Sequence, residues 1–103
     1  MIDIENLRRY ALEEMIVATN HAAKRFSERE INMEDIYNAI NSGDIIEQYP
    51  DDFPYPSCLI LGNDLQGEKI HVVLSDEAIA SRVITAYRPN PAKWSEDFKI
   101  RRQ

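Results

Sequence analysis

Cysteine is almost absent: Cys58 stands alone in 103 residues. No disulfide can form within the chain, and the composition suits a reducing, cytoplasmic setting. Glycine is scarce as well, at positions 43, 62 and 67 only. None lies in a phosphate-cradling loop, and all three read as turn or cap residues. No apolar run approaches the roughly 20 residues that a membrane span requires. The opening MIDIENLRR lacks the apolar stretch of a signal peptide. Neither GxSxG nor His-Glu-x-x-His occurs, and the soft ligands His21, Cys58 and His71 are never two to four residues apart. Zinc chemistry, membrane insertion and glycine-loop nucleotide binding are thereby disfavoured, and no metal or cofactor is expected.

What is present suits one compact α+β domain over residues 1–103. The 44% apolar and 29% charged content is that of an ordinary globular chain. The net charge of −6 argues against broad, nonspecific attraction to nucleic acid phosphates. The charge is uneven, however. Segment 28–52 holds eight carboxylates against Arg29 alone, whereas segment 78–103 holds six basic residues against Glu96 and Asp97. Such asymmetry can steer a partner, pair two copies head to tail, or remain a solvated surface.

Residues 3–13 read as a helix, with Ile4, Leu7, Tyr10 or Ala11, and Met15 beyond them, at helical spacing. Met15–Ala18 is a short apolar run that periodicity leaves open between strand and helix. Thr19 is a fit N-cap for a helix over 20–29. Asn32 caps the next helix, Glu34 and Asp35 suit its positive end, and Gly43 stops it. Met33, Ile36, Tyr37 and Ile40 form its core stripe. Strand patterns follow at 45–49, 57–62, 69–75 and 82–88. Between the first two, Pro50, Pro54 and Pro56 mark an exposed loop. Helices first and a hairpin-connected sheet second give the α+β class, with helices on one face of a three- to four-stranded antiparallel sheet. Leu7, Ala22, Phe26, Ile31, Ile36, Ile40, Ile60, Val72, Leu74 and Ile84 are the expected core. Trp94, after Pro89 and Pro91, is expected to pin a C-terminal arm, with Lys99 to Gln103 mobile unless a partner orders them.

Polar residues in apolar frames carry the chemistry. His21, Arg25 and Arg29 recur at i, i+4 and i+8 and share one helix edge. Arginine's forked donors suit phosphate or carboxylate, so this edge reads as an anion site; its alternative is pairing of the arginines with Glu28, Glu30 or the acidic loop. His71 lies in a strand with Lys69 and Val73 on its face, and Tyr87 lies on the next strand; both can equally be packed, hydrogen-bonded residues. Together these side chains could cleave RNA without metal. A base takes the 2′-hydroxyl proton, arginine stabilises the phosphorane charge, and a second His or Tyr protonates the leaving oxygen.

The pattern Thr19-x-His21-Ala22-x-x-Arg25-x-x-x-Arg29-x-Ile31, with Gly43-Asp44-Ile45-Ile46-Glu47-x-Tyr49-Pro50-Asp51-Asp52, Pro56-Ser57-Cys58-Leu59-Ile60-Leu61-Gly62, Ile70-His71-Val72-Val73 and Val83-Ile84-Thr85-x-Tyr87-x-Pro89-x-Pro91-x-x-Trp94, resembles a family known as domain of unknown function 4258. That resemblance spans roughly residues 15–94. It implies a fold similar to the RelE-type and BrnT-type ribonuclease toxins, with Met15–Ala18 as a strand, residues 1–14 as an added N-terminal helix and 95–103 as a C-terminal tail. Family members usually carry Gly where Glu30 stands. The resemblance also implies catalytic roles for His21, Arg25, His71 and Tyr87 in a common cleft, with Arg29 binding substrate at its rim. Three functions are then in play. One is a metal-independent ribonuclease of toxin type, or a degenerate relative, acting on RNA and held by an antitoxin. The second is a non-catalytic protein-binding or regulatory module that meets its partner through the acidic 44–52 stretch and Pro54-Tyr55-Pro56. The third is an enzyme of small phosphoesters using the same helix edge.

Overall fold

The computed structural model describes residues 1–103. The Asp3 carboxylate accepts from the Glu5 amide and so starts helix α1 (Ile4–Leu12), which buries Leu7, Tyr10 and Ala11. Strand β1 (Ile16–Ala18) follows. Thr19 then caps α2 (Asn20–Glu28) by accepting from the Ala22 amide at 3.1 Å. Asn32 and Asp35 accept from each other's backbone amides, the reciprocal box that opens α3 (Met33–Ser42). At its far end the Arg8 guanidinium donates to the carbonyls of Gly43 at 2.8 Å and Ile40 at 3.2 Å, satisfying groups that the helix leaves unpaired. The remaining chain is an antiparallel meander of β2 (Asp44–Tyr49), β3 (Ser57–Asn63), β4 (Lys69–Ser75) and β5 (Ser81–Tyr87). No helix is long and apolar enough to cross a membrane.

The sheet has five strands in the order β1-β5-β4-β3-β2, and it is mixed. This corrects the expected three or four antiparallel strands. Three residues are too few to show a period, yet Ile16, Val17 and Ala18 pair in parallel with Ser81, Arg82 and Val83. Helices α1, α2 and α3 all lie on one face. There Cys58, Ile60, Ile70, Val72, Leu74 and Val83 join Leu7, Phe26, Ile31, Ile36 and Ile40 in a single core.

Every expected core residue is buried except Ile84, which is 48% exposed. The register explains the exception. Leu74 pairs with Val83 and Val73 with Thr85, so Ile84 is the extra residue of a bulge that turns it out of the alternation. Gly62 likewise departs from its expected turn role, since it lies inside β3. A Cβ there would stand 2.3 Å from the Ala39 carbonyl oxygen and 2.6 Å from its Cα, so glycine is what lets α3 rest on the sheet.

On the opposite face of the sheet, residues 89–102 lie over His71 and Glu47. Trp94 is 3% exposed and forms an isolated bridge with Arg101. Arg101 pairs with Glu47 at 3.0 Å, and the Arg102 amide donates to the Lys93 carbonyl at 2.8 Å. Trp94 is thus buried as its setting predicts, and the segment after it folds back on the chain through Arg101 and Arg102. The basic tail finds the acidic β2 within the same chain, which accounts for part of the charge asymmetry.

Candidate functional site

Strand β1 ends at Ala18, so the outer edge of β5 beyond Val83 has no strand beside it. Helix α2 lies along that edge instead. Ala22 and Phe26 turn into the core, which leaves His21, Arg25 and Arg29 facing the strand. Arg29 is anchored there: its Nη1 donates to the Ala86 carbonyl at 2.9 Å and reaches Thr85 Oγ1 at 3.5 Å. Arg88 fixes the far end of α2 by donating to the Glu30 carbonyl and to the Asp64 carboxylate, both at 3.0 Å. Asp64 is held low in pKa: burial alone would raise it, but the Glu68 and Gln66 amides and Arg88 prevail.

A hollow of about 180 Å³ results, lined by His21, Ala22, Arg25, Arg29, Ile84 and Thr85. Arg25 and His21 take part in none of the five ion pairs of the chain. The pairing with Glu28, Glu30 or the acidic loop that the sequence left open is therefore not made. Two exposed side chains, His21 and Arg25, thus stand beside an anchored guanidinium with the Thr85 hydroxyl at the wall, a set of hydrogen-bond donors gathered around one small hollow.

His71 and Tyr87 lie elsewhere. They are cross-strand partners on the sheet face away from the helices, and neither lines the hollow. The single cleft expected for His21, Arg25, His71 and Tyr87 is not formed. His71 is fully buried beneath Trp94, whose ring meets it edge-on at 4.4 Å. Its Nε2 lies 2.9 Å from the Phe98 carbonyl, which can only accept, so Nε2 carries the hydrogen. Nδ1 is then the acceptor for the Tyr87 hydroxyl at 3.2 Å. Burial lowers the His71 pKa, against the opposite pulls of the Phe98 carbonyl and Glu47. Burial also raises the Tyr87 phenol. Nearby, Tyr49 is pushed up to about 12 by burial and by Glu47, to which its hydroxyl donates. Burial would raise Glu47, but hydrogen bonds from Arg101 and Tyr49 hold it low.

Sequence reasoning missed Ile84 and Thr85 as walls of the hollow. It missed Glu47 and Arg101 as the clasp over His71. The opposed charges of the tail and the 44–52 stretch were the signal for that clasp. No three His, Cys, Asp or Glu side chains are gathered as metal ligands.

The family described as domain of unknown function (DUF4258) matches residues 18–88. The chain belongs to it. No curated protein and no solved structure matches the chain. The DUF4258 stretch carries the whole hollow, from His21 to Thr85, together with His71 and Tyr87. Helix α1 and the arm that seals His71 fall outside it.

Proposed function

We propose that this DUF4258 protein is a metal-independent ribonuclease of toxin type that holds an RNA phosphate in the α2–β5 hollow. The observation that carries this reading is the pair His21 and Arg25, exposed and unpaired beside the anchored Arg29. On an acidic chain, two such groups left without partners mark a place for an anion. The order of one strand, two helices and an antiparallel meander supports a likeness to RelE-type and BrnT-type folds. In the reaction His21 takes the 2′-hydroxyl proton as the 2′-oxygen attacks phosphorus. Arg25 and Arg29 stabilise the charge on the phosphorane oxygens. The bond to the 5′-oxygen breaks, that oxygen takes a proton from solvent, and a 2′,3′-cyclic phosphate remains.

One observation favours a second reading, a non-catalytic binding or regulatory module with a protein partner. His71 and Tyr87 are committed to each other and to Phe98, so His21 is the one imidazole open to solvent. The test is cleavage of single-stranded RNA in the presence of a chelator, beside a titration with inorganic phosphate. His21→Ala should lower the cleavage rate by about 100-fold or more, the usual weight of one acid–base group. Arg25→Ala should weaken phosphate binding with no change in melting temperature, since its side chain holds nothing in place. Cleavage that is unchanged in His21→Ala would remove the nuclease mechanism. Phosphate binding without cleavage in the unaltered protein would leave the module.

A further inference from the structure

A second cavity, of about 460 Å³, opens beside the hollow and shares Ile84 with it as a common wall. Its rim is aromatic: Phe53 is 94% exposed and Tyr55 45%. Its polar side holds Asp52 and the ion pair of Glu77 with Arg82, all held in place. Glu77 accepts from Ser75 at 2.9 Å and from Arg82 Nε at 3.1 Å, and Asp52 accepts from the Ser57 hydroxyl. The two cavities therefore differ in chemistry although they touch, the one cationic and the other aromatic and carboxylate-lined.

We propose that this groove takes a nucleobase of single-stranded RNA whose backbone phosphate occupies the His21–Arg25–Arg29 hollow. The inference rests on the reading of that hollow as a phosphate site. Three features select a base. The exposed faces of Phe53 and Tyr55 offer the stacking surface on which unpaired bases settle. The groove's one cation, Arg82, is committed to Glu77, which leaves the unpaired Asp52 carboxylate to disfavour a second phosphate, so the strand presents a base here and not its backbone. Asp52 accepts from Ser57 through one oxygen, and its other oxygen accepts from base N–H groups, which favours guanine, with its adjacent imino and amino donors, over uracil. Ile84, turned outward by the bulge in β5, sets the base beside the phosphate.

The experiment is a fluorescence-anisotropy titration with a short 2′-O-methyl oligoribonucleotide containing guanine, which lacks the attacking hydroxyl, and with its abasic counterpart. Inorganic phosphate is titrated in parallel. Phe53→Ala combined with Tyr55→Ala should weaken the oligonucleotide by roughly 5- to 100-fold, the loss expected when one stacked base is released. Inorganic phosphate should bind that variant as before, which also shows that it is folded. Arg25→Ala should weaken both ligands. The base subsite is overturned if the double variant binds the oligonucleotide unchanged, or if the abasic strand binds as tightly as the parent. It is overturned too if the unaltered protein binds phosphate but no oligonucleotide, which would leave the groove to a basic, apolar peptide. Phosphate binding that Arg25→Ala does not alter would instead remove the hollow's reading.

Discussion

Trp94→Ala should both destabilise the protein and change how its stability responds to acid. Removing a buried tryptophan costs about 3–5 kcal/mol, and the edge-on contact with His71 belongs to that loss. For a chain of this length each kcal/mol moves the melting temperature by roughly 4–8 °C, so a fall of at least about 10 °C is expected. The acid response follows from His71, whose folded pKa lies below the ordinary imidazole value near 6.5 because it is buried. Of its neighbours, Tyr87 shares its hydrogen bond, and Glu47 is held against the arm by the exposed Arg101. As pH falls through about 6.5 the unfolded chain takes the proton first, so stability declines with acid across the window between the two pKa values. Above that window the contribution of neutral His71 is complete. Glu47, Asp64 and Glu77, all held low, lose their contributions only below their ordinary carboxylate values. Urea denaturation between pH 8 and pH 5 should thus show a slope in the unaltered protein that Trp94→Ala loses. His21 is common to both proteins, so the difference isolates His71. A melting temperature lowered by less than about 4 °C, or an identical pH slope, would refute the arm as an anchor and as the cover of His71.

Gly62→Ala should cost at least about 2 kcal/mol in urea denaturation, because its Cβ meets the backbone of Ala39 and not a pliable side chain; an unchanged midpoint would mean that α3 can shift freely on the sheet. Glu30 holds a left-handed φ of 60°, so Glu30→Gly should raise the melting temperature by about 2 °C once the added freedom of the unfolded chain is set against the relief. Lys24→Gly, in the middle of α2, should lower stability by about 1 kcal/mol; equal effects of these two glycines would refute the strain at Glu30.

Much of the fold was legible because its signals are local. Thr19, Asn32 and Asp35 name the helix starts by their own side chains, and the apolar stripe of α3 needs nothing but the helical repeat. What escaped is what depends on residues far apart. The family resemblance implies β1 as a strand, but three residues carry no local signal of its parallel place beside β5. Ile84 looks like a core residue until the bulge that Leu74 and Val83 define moves it outward. Among the site residues, His21, Arg25 and Arg29 were legible because one helix carries them all. The placing of His71 and Tyr87 was not, because alternation along a strand says which residues share a face but not what covers that face. Trp94, Phe98 and Arg101 decide that, and they come from the arm.

The parallel pairing of β1 with β5 also orders events in time. A chain is synthesised from its N-terminus, so α2 leaves the ribosome with its histidine and two arginines long before residues 81–87 exist. Until β5 has docked there is no wall at Ile84 and Thr85 and no carbonyl at Ala86 to fix Arg29. Pairing between such distant segments is among the slow steps of folding. The hollow is therefore incomplete until β5 has joined the sheet. A nascent or truncated chain that stops short of β5 carries His21, Arg25 and Arg29 without the walls that Ile84 and Thr85 supply.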